Sequence, residues 1–433
     1  MHFYLEPGGS MTGSIRVPGD KSMSHRAIML GSIAEGRTSV SGFLEGDDAL
    51  ATLSAFRAMG VQITDPDAGR LTIEGVGLRG LRAPEQVMDV GNSGTSIRLM
   101  VGLLSGQPFD SMITGDQSLL RRPMGRVITP LAQMGALIGS HEGYPPLEVA
   151  GGRALEGIHY DLPVASAQVK SSVLLAGLYA RGRTSVTEPA PTRDHTERML
   201  NGFGYPVDTQ DGVISLEAGG ALTATDIDIP ADISSAAFFL VGASIAPGSD
   251  LTLEHVGVNP TRDGVIRILR AMGADIEIMN ERLVGGEPVA DLRVRHTPLH
   301  GIEIPVEEVP LAIDELPAVL IAAACADGVT VLSGAEELRV KESDRIASMA
   351  EGLTQLGIEN TTRPDGIEVV GGEMTGGVIA THFDHRIAMS FSMAALRAKD
   401  RIKVSDCAHV ATSFPRFSEL AVRCGLRLEA ADE

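Results

Sequence analysis

Charged and hydroxyl side chains recur in this sequence at one kind of place, the first residues of segments whose apolar spacing predicts a helix. Lys21, Ser22 and Arg26 open one such segment, and Asn92, Gly94 and Thr95 open another. Ser166 and Gln168 open a third, Asp314 a fourth, and His385 with Arg386 a fifth. A second series begins similarly, with Arg122 before Pro123, Arg193 before Asp194, and Lys341-Glu342 before Arg345. A helix start carries free N–H groups and partial positive charge, so it favours anions. Arginine adds a planar fork that matches carboxylate and phosphate. If equivalent helix starts point the same way, two sets of them would concentrate cations on a phosphorylated, carboxylated ligand.

Each residue alone has a plainer reading. Ser, Thr, Asp and Asn at helix starts commonly serve as caps. The loop Gly91–Gly94 matches neither the dinucleotide-binding nor the P-loop glycine pattern. Asp194 and His195 stand too close in sequence for a metal site, and Met389 and Met393 read as core. The recurrence of Lys, Arg and Asp at equivalent places, where caps alone would suffice, is what points to chemistry.

The elements that position these residues repeat. Six segments share a polar loop, an apolar helical run, a turn and a short strand-like stretch, beginning near Val17, Asp89, Asp161, Asp228, Glu308 and Thr381. Their spacing is roughly 72 residues, a period that has to be recognised before any fold is assigned. Each repeat holds a second, amphipathic helix pattern ending at Gly60, Gly135, Gly204, Gly273, Gly357 or Gly425, the expected C-terminal cap. Strand-like pieces follow, at 61–64, 274–278 and 426–429. The unit thus reads β-α-β-α-β-β. Its first helix is apolar nearly all round, as at 236–245 and 316–324, and should be buried, whereas the second should lie at the surface. Six such units fit two compact domains of three, with the crossover near 226–231.

Composition bounds the partners. With 36 Lys+Arg against 56 Asp+Glu, the net charge is −20, which disfavours nucleic acid and anionic membranes. Hydrophobic residues make up 43%, enough to exclude disorder. Only five of the basic residues are lysines: Lys21, Lys170, Lys341, Lys399 and Lys403. Three scattered cysteines, Cys325, Cys407 and Cys424, form no C-x-x-C pair and suggest a reducing compartment. The first residues lack the basic and apolar stretches of a signal peptide, and the longest apolar run, 316–326, is too short to span a bilayer. A soluble, cytoplasmic protein is expected.

From about Pro18 to Pro415 the sequence resembles the 5-enolpyruvylshikimate-3-phosphate synthase family. The resemblance rests on P-G-D-K-S-M-S-H-R from Pro18, G-N-S-G-T-S-I-R from Gly91, R-P-M-G-R from Arg122, S-A-Q-V-K-S from Ser166, R-V-K-E-S-D-R from Arg339 and D-H-R-I-A-M from Asp384. It implies a two-domain inverted α/β barrel in which each domain has three β-α-β-α-β-β repeats around buried parallel helices. Residues 20–230 would form one domain and 1–19 with 231–433 the other, with the active site in the cleft between them. The implied reaction transfers the enolpyruvyl group of phosphoenolpyruvate to the 5-hydroxyl of shikimate 3-phosphate and releases phosphate, a shikimate-pathway step toward chorismate and aromatic amino acids. No metal or organic cofactor is implied, and a monomer is expected.

Carried onto this chain, the resemblance implies that Lys21, Ser22, Arg26, Ser166, Ala167, Gln168, Arg193, Asp314 and Lys341 hold shikimate 3-phosphate. Lys21, Gly94, Thr95, Arg122, Gln168, Arg345 and Arg386 would hold phosphoenolpyruvate. The weakly nucleophilic hydroxyl needs a base, for which Asp314 is the candidate, and the methylene carbon needs an acid, for which Glu342 is. Lys21 and His385 would stabilise developing charge and help phosphate leave. Two departures stand out. The run Ala411-Thr412-Ser413-Phe414-Pro415 lacks the Lys that many members carry before T-F-P, which resembles the branch that includes glyphosate-tolerant enzymes. Gly94, however, stands where tolerant members often carry Ala. The same-fold family acting on UDP-N-acetylglucosamine usually carries a Cys in a mobile Arg-containing loop, and 115–126 here has none. A non-catalytic anion-binding scaffold would not need Lys21, Asp314, Glu342 and Arg386 together.

Overall fold

The computed structural model describes residues 1–432. It is a mixed α/β structure that divides into two compact units. One unit comprises Gly19–Ile229 with Val284–Gly286; the other comprises Met1–Pro18, Pro230–Leu283 and the chain from Glu287 onward.

The Gly19–Ile229 unit holds three four-stranded sheets of one pattern. In each, a short strand pairs in parallel with a neighbour that is followed by an antiparallel pair. Met88–Asp89 lies parallel to Ser111–Thr114, which pairs antiparallel with Tyr144–Val149 and through it with Ile138–His141. The sheets built on Glu35–Ser41 and Arg183–Thr187 repeat this order. Helices Lys21–Ile33, Gly94–Ser105 and Ala167–Gly177 are the buried ones. Asp47–Ala58, Gly125–Gln133 and His195–Gly202 keep a polar face outward.

The second unit follows the same plan around Ile233–Ile245, Leu316–Ala324 and His385–Ala394. All 13 residues of Ile233–Ile245 and all nine of Leu316–Ala324 are buried. Each large apolar side chain removed from water contributes about 1.5–3 kcal/mol, so these helices are held by surroundings on every side. Two sheets borrow strands from the start of the chain. Thr12–Ile15 lies parallel to Asp250–Gly257, and His2–Leu5 lies between Ile402–Val404 and Leu428–Ala431. The remaining sheet has three strands, and its parallel partner is reduced to single bridges such as Glu303 to Val331.

Local chemistry sets the helix ends. Asp20, Ser93, Ser166, Asp232, Asp344 and Asp384 each accept a hydrogen bond from a first-turn N–H of the helix they precede. The six glycines read as C-terminal caps all have positive φ, between 77° and 116°. Gly102 has a different role. A Cβ there would lie 2.1 Å from the Ser172 carbonyl oxygen, so helices Gly94–Ser105 and Ala167–Gly177 meet backbone to backbone. That approach lets Ser172 Oγ donate to the Arg98 carbonyl at 2.7 Å.

Strand limits differ from the sequence reading. The piece expected at 61–64 is only Gln62–Ile63, and that at 426–429 is Leu428–Ala431, because residues after each capping glycine are used in the turn. The piece at 274–278 extends to Asp275–Val284. Its outer half is exposed and pairs with Glu287–Arg295, so it lacks an apolar alternation to read. Cys325, expected inside an apolar helix, caps the end of Leu316–Ala324 instead. All three cysteines are free, and burial pushes the Cys325 and Cys407 thiols up to about 12 and Cys424 to about 11. No helix among the described residues is long and apolar enough to cross a membrane.

Candidate active site

In the Gly19–Ile229 unit, hydrogen bonds tie four helix starts together. Arg26, in the first turns of Lys21–Ile33, donates through Nη1 to the Ser22 carbonyl at 3.0 Å and through Nη2 to Ser171 Oγ at 2.8 Å. Its Nε donates to Thr196 Oγ1 at 2.7 Å. Gln168 Nε2 donates to Thr95 Oγ1 at 3.0 Å, while Gln168 Oε1 accepts from Arg98 Nη1 at 2.9 Å. Ser166 caps that helix and Ala167 is its first residue. Lys21 Nζ pairs with Asp48 at 3.1 Å.

Arg122 Nη2 donates to Asn92 Oδ1 at 2.5 Å and to Ser118 Oγ at 3.2 Å. Arg122 belongs to the turn before Gly125–Gln133, and its side chain reaches the start of the neighbouring helix. A Cβ on Gly94 would lie 2.7 Å from Arg98 Nη1 and 3.1 Å from Arg122 Nη1. Two guanidinium groups therefore crowd the free N–H groups of this helix, a concentration of positive potential suited to phosphate or carboxylate. Arg193 is half-buried in the turn before His195–Gly202. His25 is fully buried beside Thr52 and Ser96, and burial, with Lys21 and Arg26 adding to it, lowers its pKa to about 3. It is neutral at physiological pH.

The second unit gathers carboxylates around one cation. Arg345, 1% exposed, donates through Nε to Asp384 at 2.8 Å, through Nη1 to Asp314 at 3.1 Å and through Nη2 to Glu342 at 2.6 Å. Lys341 Nζ lies 3.6 Å from the same Asp314 oxygen, and Arg386 Nη1 donates to the Asp314 carbonyl at 2.8 Å. Burial alone would raise the Asp384 carboxyl; Arg345 more than offsets it and holds the group below the ordinary range. Burial likewise opposes the charge on Arg345, and Asp384, Glu342 and Asp314 outweigh it. His385 is the buried first residue of the helix that Asp384 caps. Asp314 differs from its sequence reading as a helix-start residue. It lies in the joint between Val309–Ala312 and Leu316–Ala324, and Glu315 occupies the cap position.

The structure thus joins Lys21, Ser22, Arg26, Gly94, Thr95, Arg122, Ser166, Ala167 and Gln168 in one unit. In the other it joins Asp314, Lys341, Glu342, Arg345, His385 and Arg386. Sequence reasoning missed Arg98, Asp48 and Asp384 as their partners. Arg98 ends the G-N-S-G-T-S-I-R motif and Asp384 opens D-H-R, so both were in view. Asp48 reads as an ordinary acidic residue in a first helical turn and carried no signal.

An α/β protein that lines helix starts with arginines and sets three carboxylates on one buried guanidinium is built as an enzyme for anionic substrates. Residues 5–420 match the family described as EPSP synthase (3-phosphoshikimate 1-carboxyvinyltransferase). The chain is 65% identical over 434 residues to the 3-phosphoshikimate 1-carboxyvinyltransferase of Alkalilimnicola ehrlichii, covering 100% of this chain and 97% of that protein. It is 64% identical to that of Methylococcus capsulatus, covering 99% and 98%. The solved EPSP synthase of Acinetobacter baumannii superposes with a TM-score of 0.90 at 57% identity, with both chains covered in full. The chain belongs to the EPSP synthase family and is a transferase.

Proposed function

We propose that the chain transfers the enolpyruvyl group of phosphoenolpyruvate to the 5-hydroxyl of shikimate 3-phosphate, with release of phosphate. In this reading Lys21, Ser22, Arg26, Ser166, Ala167, Gln168, Arg193, Asp314 and Lys341 hold shikimate 3-phosphate. Gly94, Thr95, Arg122, Gln168, Arg345 and Arg386 hold phosphoenolpyruvate, with Lys21 touching both substrates. The architecture is taken to be of the inverted α/β barrel type. The protein works as a cytoplasmic monomer, and its charge of −20 argues against a nucleic-acid partner.

Asp314 takes the proton of the attacking hydroxyl and Glu342 delivers one to the methylene carbon. Lys21 and His385 stabilise charge as phosphate departs. The observation that carries this reading is the single guanidinium of Arg345, which fixes the Asp314 and Glu342 carboxylates at 3.1 and 2.6 Å. Base and acid are held at one place, and adjacent donor nitrogens keep them apart. The test is phosphate release from phosphoenolpyruvate with shikimate 3-phosphate or UDP-N-acetylglucosamine as acceptor. Release should require shikimate 3-phosphate; release with the nucleotide sugar alone would overturn the assignment.

A further inference from the structure

Lys170 lies in the buried helix Ala167–Gly177, one turn beyond Ser166, and is 1% exposed. A lysine in that position must be paired, because an isolated ammonium is costly to bury. Its Nζ lies 2.7 Å from Glu197 Oε1 and 2.9 Å from Glu188 Oε2, and donates to the Thr192 carbonyl at 3.5 Å. Thr192 Oγ1 in turn donates to Glu188. One ammonium thus fastens the 188–194 segment, which carries Arg193, at Glu188 and Thr192, together with the first turn of helix His195–Gly202. The next residue, Ser171, bonds to Arg26 and to Thr196 from the same helix turn. The Lys170 cluster and the Arg26 cluster therefore share two elements; Thr95 bonds the same helix through Gln168, and Arg122 is held by Asn92 and Ser118.

We propose that Lys170, with Glu188 and Glu197, is a positioning clamp that sets Arg193 and Arg26 for the phosphate of shikimate 3-phosphate. This rests on the reading of those two arginines given above. None of the three clamp residues touches substrate; they act through the loop and the helix turn they fasten. Two carboxylates around one cation make a stiffer link than one pair would, since releasing the loop leaves buried charge uncompensated. Burial raises the Glu197 carboxyl and Lys170 opposes that rise, as expected where the pairing rather than solvent supports the charge.

The test compares wild type, Lys170→Met, and the triple variant Lys170→Met/Glu188→Gln/Glu197→Gln. The triple variant removes the charges together and avoids stranding two buried carboxylates. In the folded triple variant the KM for shikimate 3-phosphate should rise about tenfold, the scale of one misaligned charge-assisted contact. The KM for phosphoenolpyruvate and kcat should stay within about threefold. Hydrogen exchange should speed up at 189–194 while that at 91–98 is unchanged. A merely structural role would lower the active fraction and leave both KM values alone. That outcome, an equal rise in both, or failure of the triple variant to fold would each overturn the clamp. Wild-type phosphate release with shikimate 3-phosphate is measured first. If it is absent, the functional reading falls; if it is present and the variant KM is unchanged, only the clamp does.

Discussion

Replacing Asp314 with Asn separates chemistry from architecture because of how Arg345 is surrounded. The substitution keeps the shape of the side chain and an oxygen that can still accept from Arg345 Nη1, now 3.1 Å away. Arg345 retains Glu342 and the fully buried Asp384, and the cation that loses a charge partner is the partly exposed Lys341, 3.6 Å from Asp314. Converting one charge-assisted bond to a neutral one costs about 1 kcal/mol, or about 2–4 °C in Tm for a unit of this size. Loss of a general base costs a factor of about 10²–10⁴, equivalent to roughly 2.7–5.4 kcal/mol in the barrier. Asp314→Asn should therefore melt within a few degrees of wild type while kcat falls at least a hundredfold. Shikimate 3-phosphate should still bind. The chain has no Trp, so calorimetric titration is the suitable binding assay, beside phosphate release for turnover. Near-normal turnover would remove Asp314 from the base role. A collapse in Tm would mean that Arg345 depends on all three carboxylates and that the proposed division of roles is wrong.

Three further outcomes are expected. Arg122→Ala should raise the KM for phosphoenolpyruvate well above tenfold and that for shikimate 3-phosphate far less; equal effects would move Arg122 out of the phosphoenolpyruvate set. Glyphosate, which carries a phosphonate and a carboxylate but is longer than phosphoenolpyruvate, should inhibit the wild type. Gly94→Ala should raise its inhibition constant far more than the KM for phosphoenolpyruvate. The added methyl would lie 2.7 Å from Arg98 Nη1 and 3.1 Å from Arg122 Nη1, and overpacking of that kind costs about 1–3 kcal/mol. Wild-type resistance at millimolar glyphosate would refute this. His25 should stay neutral throughout pH 7.5 to 5, its pKa being about 3 in the folded state. The unfolded ring takes a proton near 6.5, so stability is full above that pH and falls as pH drops, by about 2 kcal/mol at pH 5. Ring-nitrogen NMR showing titration near 6.5 in the folded protein would contradict the assignment.

The repeat was legible because one local device, glycine with positive φ after a surface helix, recurs at Gly60, Gly135, Gly204, Gly273, Gly357 and Gly425. The buried helices were legible for a related reason, since a run such as Ile233–Ile245 has no polar face to solvate. Strand limits were not, because pieces such as Gln62–Ile63 are too short for alternation to emerge. At the site, residue types and helix-start placement could be read, but pairings could not. Asp384 and Arg345 are 39 positions apart in successive repeats, Lys21 and Asp48 are 27 apart on the two helices of one repeat, and only tertiary packing brings either pair together. Lys170 is the sharpest case. Within S-A-Q-V-K-S it looks like one more cation at a helix start, yet its ammonium is turned toward Glu188 and Glu197.

The strand His2–Leu5, bonded on both sides to segments near the other end of the sequence, has a consequence for the order in which the protein is made. At roughly 5–20 residues per second, about 20–80 s separate synthesis of this strand from synthesis of Ile402–Val404. The sheets of the Gly19–Ile229 unit are complete once residue 229 has emerged. One half of the protein can thus fold on the ribosome while Phe3 and Leu5, both destined for the core, wait without partners. Nascent chains halted at that stage should already resist protease across the first unit yet be cleaved around Phe3. During that interval the leading segment is the part of the newborn chain most in need of a chaperone.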